Sequence, residues 1–143
     1  MTMTAPVADG VRERTAEPKR VLMCRPTHFT VSYRINPWMF PENPTNQKLA
    51  ESQWQSLYDA YRALGIEVEL IDPIPGLPDM VYAANGGFVV DGIASGARFR
   101  YPERQPEGPA YIDYLEALGF TPTRATELNE GPFGTLPPPW PVF

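Results

Sequence analysis

Residues 53–71 read QWQSLYDAYRALGIEVELI, and this stretch decides the fold class. Ala50, Trp54, Leu57, Tyr58, Tyr61 and Leu64 recur at helical spacing. They predict an amphipathic helix from about Asn46 to Leu64, with Thr45 or Asn46 as its N-cap. Gly65 stands where a helix stops in the left-handed conformation. Ile66, Val68 and Leu70 then alternate with Glu67 and Glu69, which is strand spacing. A helix that feeds a strand through a glycine stop is one α/β unit. A second copy follows: Asp59-x-x-x-Ala63-Leu64-Gly65-Ile66 recurs as Asp113-x-x-x-Ala117-Leu118-Gly119-Phe120, 54 residues later. Helix stops of this kind also arise by convergence, so chance and true repetition both stand. If the repeat is real, two units are fewer than the roughly three that a stable repeat architecture needs.

Working outward, Val21–Cys24 is a short apolar run that reads as a buried strand. Residues 25–44 hold four prolines with Tyr33, Trp38 and Phe40, a long aromatic loop of the kind that is usually functional when it is ordered. Residues 72–78, DPIPGLP, form a turn-rich break. Strands are expected at 81–84, 87–90 and 93–97, with Asp91-Gly92 as a hairpin turn between the last two. A second helix is expected from about Pro109 to Leu118, stopped by Gly119, and a further strand over Phe120–Arg124. Residues 1–18 are polar and small and read as a disordered tail. Residues 19–130 read as the folded part, and 131–143 as a proline-rich irregular tail.

Composition narrows the function classes. The chain has 143 residues, 43% of them hydrophobic, which allows one domain with a core. Eighteen prolines keep long helices out of much of it. The net charge of −5 argues against nucleic acid or an anionic membrane face as partner and mildly favours a cationic small molecule. No secretory signal and no membrane span is legible, so a soluble cytoplasmic protein is expected. The only cysteine is Cys24, which excludes an internal disulfide, and the only histidine is His28. One of each cannot build a structural zinc site. A Ser-His-Asp triad would have to use His28, and there is no Gly-x-Ser-x-Gly elbow. Cys24 closes an apolar strand and reads as a buried small hydrophobe. His28 reads as a solvated or bracing loop residue.

Leu77–Glu107 places Asp79, Asn85, Arg98, Arg104 and Glu107 at or near the ends of short strands. A carboxylate and an amide carbonyl match the planar donor fork of a guanidinium. An arginine matches a carboxylate bidentately. Together they suit a molecule with a guanidinium at one end and a carboxylate at the other. The structural alternative is plain: Asp79 as a turn cap, Asn85 in a tight turn, the arginines in solvent. In Met23–Met39, Asn36 before Pro37 is biased to an extended conformation, and Trp38 either walls a pocket or packs.

Four stretches, taken in order, resemble one family: LMCRPTHFTVSYRINPWM (22–39), QWQSLYDAYRALG (53–65), ELIDPIPGLPDMVYAANGG (69–87) and RFRYPERQPE (98–107). Over about residues 20–130 the chain resembles the N-terminal half of the guanidine-modifying amidinohydrolases and amidinotransferases. That group includes dimethylarginine dimethylaminohydrolase and the arginine dihydrolases, and the INPWM and PDMVY-x-AN patterns are most similar to the dihydrolase type. The resemblance implies a five-bladed α/β propeller, of which this chain holds about the first two to three units. It implies an arginine-like guanidino substrate and no metal or organic cofactor. A cysteine near the family's C-terminus attacks the guanidino carbon, a histidine serves as general acid/base, an amine or ammonia leaves, and water releases the product. It also implies that Asp79 binds the guanidinium, that Asn36 and Asn85 line the substrate site, and that Arg98 and Arg104 hold the substrate carboxylate or shape its pocket. Where dimethylarginine-specific members carry Glu-Asp, this chain carries Ala84-Asn85, which favours arginine or a related substrate.

Two departures shape the functional expectation. The family's Gly-x-Gly-Asp turn reads Gly131-Pro132-Phe133-Gly134 here, without the acidic residue. Cys24 and His28 do not match the family's catalytic positions, and TLPPPWPVF (135–143) resembles nothing in the family. The expectation is a truncated or frame-shifted amidinohydrolase polypeptide that is inactive alone, with no catalytic residue of its own. Its partners would be a guanidino small molecule and either a missing C-terminal half or a second copy of itself. The alternative is a non-catalytic module that binds an arginine-like molecule or another protein.

Overall fold

The computed structural model describes residues 20–43 and 45–129. The tails expected at 1–18 and 131–143 lie outside the described residues. The chain builds two β-α-β crossovers, and both halves of the sequence repeat fall on them. In the first, strand β1 (Arg20–Cys24) leads through a loop to helix α1 (Gln47–Ala63) and strand β2 (Glu67–Ile71). β1 and β2 pair in parallel, from Arg20 opposite Glu67 to Cys24 opposite Ile71. A short helix α2 (Ala83–Gly86) then precedes strand β3 (Gly87–Val90), strand β4 (Ile93–Gly96), helix α3 (Glu107–Ala117) and strand β5 (Thr121–Thr123). β3 and β4 form an antiparallel hairpin, β5 returns parallel to β4, and the order is β3-β4-β5. A parallel pair needs a crossover of a dozen or more residues, which α1 and α3 supply.

Local signals account for the element ends. Asn46 caps α1, its side chain accepting from Leu49 N at 3.0 Å. Gly65 and Gly119 stop α1 and α3 with φ of 74° and 94°, the left-handed conformation expected at both repeat positions. The β3–β4 turn has φ of 50° at Asp91 and 80° at Gly92, the pair of positive angles that a two-residue hairpin requires. The core joins both units. Cys24, Ile71, Leu77, Met80, Ala83 and Tyr111 form one buried cluster, and Ala94, Ile112 and Leu115 a second. Leu22 of β1 packs against both.

Two expectations need correction. Residues 81–84 are not a strand. Pro78–Val81 is a 3-10 turn that runs into α2, closed by Tyr82 N to Asp79 O at 3.0 Å and Asn85 N to Tyr82 O at 2.9 Å. Pro78 at the start of that turn presets its backbone, and this local hydrogen bonding wins over the β-propensity of Val81 and Tyr82. α3 begins two residues earlier than expected, at Glu107. The apolar face of α1 is only partly covered: Trp54 is buried, yet Leu57 is 48% and Leu64 76% exposed. The two sheets do not close into a ring among the described residues.

α3 crosses β4 at backbone contact. A Cβ at Gly108 would lie 1.9 Å from the Ala97 carbonyl oxygen, an atom no side-chain rotation can move. A Cβ at Gly65 would meet nothing within 4 Å and is opposed only by its positive φ. Gly108→Ala is therefore expected to cost about 3 kcal/mol, and Gly65→Ala about 1 kcal/mol. Urea unfolding midpoints check that order.

Candidate guanidinium site

Asp79 sits in the first turn of Pro78–Val81 and is 6% exposed. Two groups converge on one of its oxygens. The Tyr33 hydroxyl donates to Oδ2 at 2.7 Å, and Arg104 Nε lies 3.7 Å from the same atom. Among the described residues nothing bonds Oδ1, and no buried polar side-chain atom lacks a partner, so Oδ1 reaches the surface.

Arg104 is buried as well, and three elements hold it. Its Nε is 3.2 Å from both Glu107 oxygens, and its Nη2 is 2.8 Å from Oε2. Nη2 also reaches the Asp79 carbonyl oxygen at 3.5 Å. The Phe99 ring lies under the guanidinium, 4.1 Å from its carbon. Burial works against the Arg104 charge, but the hydrogen bonds and charge of Glu107, with Asp79 beyond, more than offset it and hold the group protonated. Glu107 is fully buried, and that burial pushes its carboxyl up against the opposing pull of Arg104. Tyr33 is held protonated first by burial, then by its hydrogen bond to Asp79. Burial and the Asp79 charge likewise raise Tyr82, whose ring meets Phe29 edge-on at 5.8 Å. Two carboxylates facing one guanidinium leave one formal negative charge, beside an oxygen that opens to the surface.

The five residues singled out from the sequence separate in space. Asp79 and Arg104 come together. Asn36 is exposed, and its Oδ1 accepts from Trp38 N at 3.0 Å, a local turn that leaves the amide nitrogen free of described partners. Asn36 is three residues from Tyr33 and so within about 11 Å of it along the chain. Asn85, exposed on α2, borders an apolar groove with Phe29 and Tyr82. Arg98 is exposed at the far end of β4 and lines a 360 Å³ cavity with Gln105 and Leu128. Its Nη1 donates to the Thr126 carbonyl oxygen, and its backbone exchanges bonds with Asn129. Tyr33, Phe99 and Tyr82 join the cluster without a site signal in the sequence, beyond the place of Tyr33 in the long aromatic loop. Glu107, three residues from Arg104 at a helix start, was legible only as a polar strand-end residue.

Cys24 is buried and donates to the Arg25 carbonyl oxygen at 3.6 Å. Burial, with the charges of Glu107 and Asp72, pushes its thiol up to about 11. It is the inert small hydrophobe expected from the sequence, since the thiolate is the nucleophile. His28 is half-buried at the end of the 3-10 turn Pro26–His28. Among the described residues no group of three His, Cys, Asp or Glu side chains could hold a metal ion, and no helix is long and apolar enough to cross a membrane.

Two outcomes are expected. Arg104→Ala strands two buried carboxylates and should cost about 3–5 kcal/mol in urea unfolding. The raised Cys24 contributes stability that is complete below its unfolded value and is lost as pH rises toward about 11. Unfolding midpoints should fall between about pH 9 and 11, and Cys24→Ala should flatten that part of the profile.

No family model matches the chain. It is 47% identical over 118 residues to the N(G),N(G)-dimethylarginine dimethylaminohydrolase of Mycobacterium tuberculosis, covering 82% of this chain and 39% of that protein. It is 40% identical over 107 residues to the bifunctional arginine dihydrolase/ornithine cyclodeaminase ArgZ of Synechocystis, covering 74% of this chain and 15% of that one. Its fold matches the crystal structure of the N-terminal domain of ArgZ, a cyanobacterial arginine dihydrolase bound to product. That match has a TM-score of 0.71 and 38% identity, over 78% of this chain and 42% of that chain. The chain therefore spans well under half the length of the relatives it matches. Over the region described, it belongs to the guanidine-modifying amidinotransferase and amidinohydrolase superfamily, as sequence of that superfamily's N-terminal region.

Proposed function

We propose that these residues form the guanidinium-receiving part of a cysteine-dependent hydrolase site for arginine or a methylarginine. The observation that carries this is the open Oδ1 of Asp79, in a buried cluster with one formal negative charge to spare. Asp79 takes the guanidinium, and Asn36 and Asn85 line the pocket. Arg98, the more accessible of the two arginines, holds the substrate carboxylate. Arg104 is engaged by Glu107 and Asp79 and shapes the pocket from behind. Ala84-Asn85, in place of the Glu-Asp of dimethylarginine-specific members, favours arginine.

The two crossovers are the first units of a five-unit α/β propeller, a reading supported by the coincidence of the repeat with β1-α1-β2 and β4-α3-β5. In this reading the chain carries no nucleophile of its own, since its one cysteine, Cys24, is a buried thiol. Nucleophile and base act as a unit, so the chain alone is expected to bind but not to hydrolyse. The single thiol fits a cytoplasmic setting.

A second reading is a non-catalytic binding or interaction module. The apolar grooves favour it. Val21 and Leu22 of β1, Phe88 and Val89 of β3, and Leu115 of α3 line one of 510 Å³. Such surface marks an interface in a soluble chain.

Calorimetry on the 143-residue protein should show L-arginine binding better than L-citrulline, with no citrulline or ammonia formed. Asp79→Asn should weaken arginine by about 10- to 100-fold, the worth of a hydrogen bond to a charged group. Turnover by the chain alone would overturn the assignment of the nucleophile. A clean monomer on a sizing column would favour the module, and self-association the partial site.

A further inference from the structure

We infer that the free edge of β1 is a self-association surface, on which a second copy of this chain adds its own β1 antiparallel across a two-fold axis at Leu22. The two crossovers show what that edge is shaped to take. Each pairs its first strand in parallel with the strand after its helix, and the registers match: Arg20 lies opposite Glu67, and Ile93 opposite Thr121, which is 54 residues on from Glu67. In the second unit β3 lies antiparallel on the other edge of β4. Among the described residues the first unit has no such strand, and its sheet stops at β1. Backbone groups alternate between the two edges of a strand. Ala97 N donates to Gly86 O at 2.9 Å, so Ser95 and Ile93, at steps of two from Ala97, face β3 as well. Their counterparts in register are Leu22 and Arg20. The side chains agree: Ala94 packs on Ile112 of α3, and its counterpart Val21 shares a groove with Ala50 and Leu57 of α1. The N–H and C=O of Leu22 therefore point at the open edge, and no described residue bonds them.

Proteins guard their edge strands with proline, charge or short length. β5 has three residues with Pro122 at its centre, and β2 carries Glu67 and Glu69. Val21–Cys24 has none of these guards. Its edge opens into an apolar groove of 470 Å³, walled by Leu57 and Tyr61 of α1 and by Tyr82 and Ala84. The strand is self-complementary. A two-fold axis at Leu22 sets Leu22 against its own copy, Val21 against Met23 and Arg20 against Cys24, so no like charges face each other. Neighbouring antiparallel strands are related by an axis perpendicular to the sheet, so both copies of α1 lie on one face. Leu57, 48% exposed, then gains its counterpart as an apolar neighbour across the axis. Pairing turns two two-stranded sheets into one of four strands and removes an unguarded edge from each copy.

Sedimentation of the 143-residue protein tests this. Between about 1 and 100 μM the 16.0 kDa monomer should give way to a dimer. Residue-resolved hydrogen exchange should slow at Leu22 as the dimer forms, while Val21 and Met23, whose backbone groups face β2, stay unchanged. Leu57→Lys sets two like charges beside the axis and should weaken the dimer about tenfold. Arg20→Pro removes one edge donor per copy at the first residue of the strand, where proline is tolerated, and should weaken it about 10- to 30-fold. If Arg20→Pro does not fold, Leu57→Lys, on an exposed helix face, carries the test. A monomer at every concentration, a dimer with Leu22 exchange unchanged, or a dimer indifferent to Leu57→Lys would each overturn the inference. A monomer whose Leu22 amide is slow at every dilution would overturn it too, and would assign the edge to another segment of the same chain.

Discussion

The guanidinium of Arg104 is the point at which separate parts of the chain meet. Phe99 lies beneath it, Glu107 grips it from the first turn of α3, and Asp79 meets it from the turn before α2. Tyr33 then joins the long aromatic loop to the same carboxylate. A charge this deep is weak evidence for stability, because taking three ionic groups out of water costs about what their attraction returns. Its value is orientation. A planar fork with two neighbouring carboxylates admits few arrangements, so it sets how the Pro78–Val81 turn faces the start of α3.

The same orientation places this polar cluster between the two crossovers. Each β-α-β unit is regular and is held by backbone pairing and apolar packing, with Leu22 touching both core clusters. The polar cluster occupies the irregular connections: the loop after β1, the turn before α2, and the segment between β4 and α3. Function concentrates on such connections because a rigid scaffold can hold them without prescribing their side chains. The exposed Leu57 on α1 and Leu64 at its C-cap, and the grooves beside β1 and β3, show apolar surface that these residues do not cover among themselves.

Much of the fold was legible because it is local. The Asn46 cap, the glycine stops at 65 and 119, and the Asp91-Gly92 hairpin each depend on a few neighbouring residues. Residues 81–84 behave differently. Val81-Tyr82 has strand chemistry, but Pro78 and two short backbone bonds turn it into a 3-10 and α-helical bend. That bend places Asp79 at the head of a buried turn. α1 illustrates the converse. Its apolar spacing correctly predicts a helix, yet spacing says nothing about how much of that face finds a partner.

The sequence by itself determined the α/β class, the two helix-stop-strand units and the buried character of Cys24, and it offered five candidate residues, Asn36, Asp79, Asn85, Arg98 and Arg104. Periodicity, capping and residue chemistry all act over short range, so each can be read in one dimension. Only the tertiary structure decided which of the candidates meet. It placed Asp79 against Arg104, put Arg98 past the end of β4 on a cavity it shares with Phe99, and brought in Tyr33 from 46 residues away. Those choices depend on how two crossovers pack about Leu22 and Tyr111, and no local pattern encodes that long-range geometry.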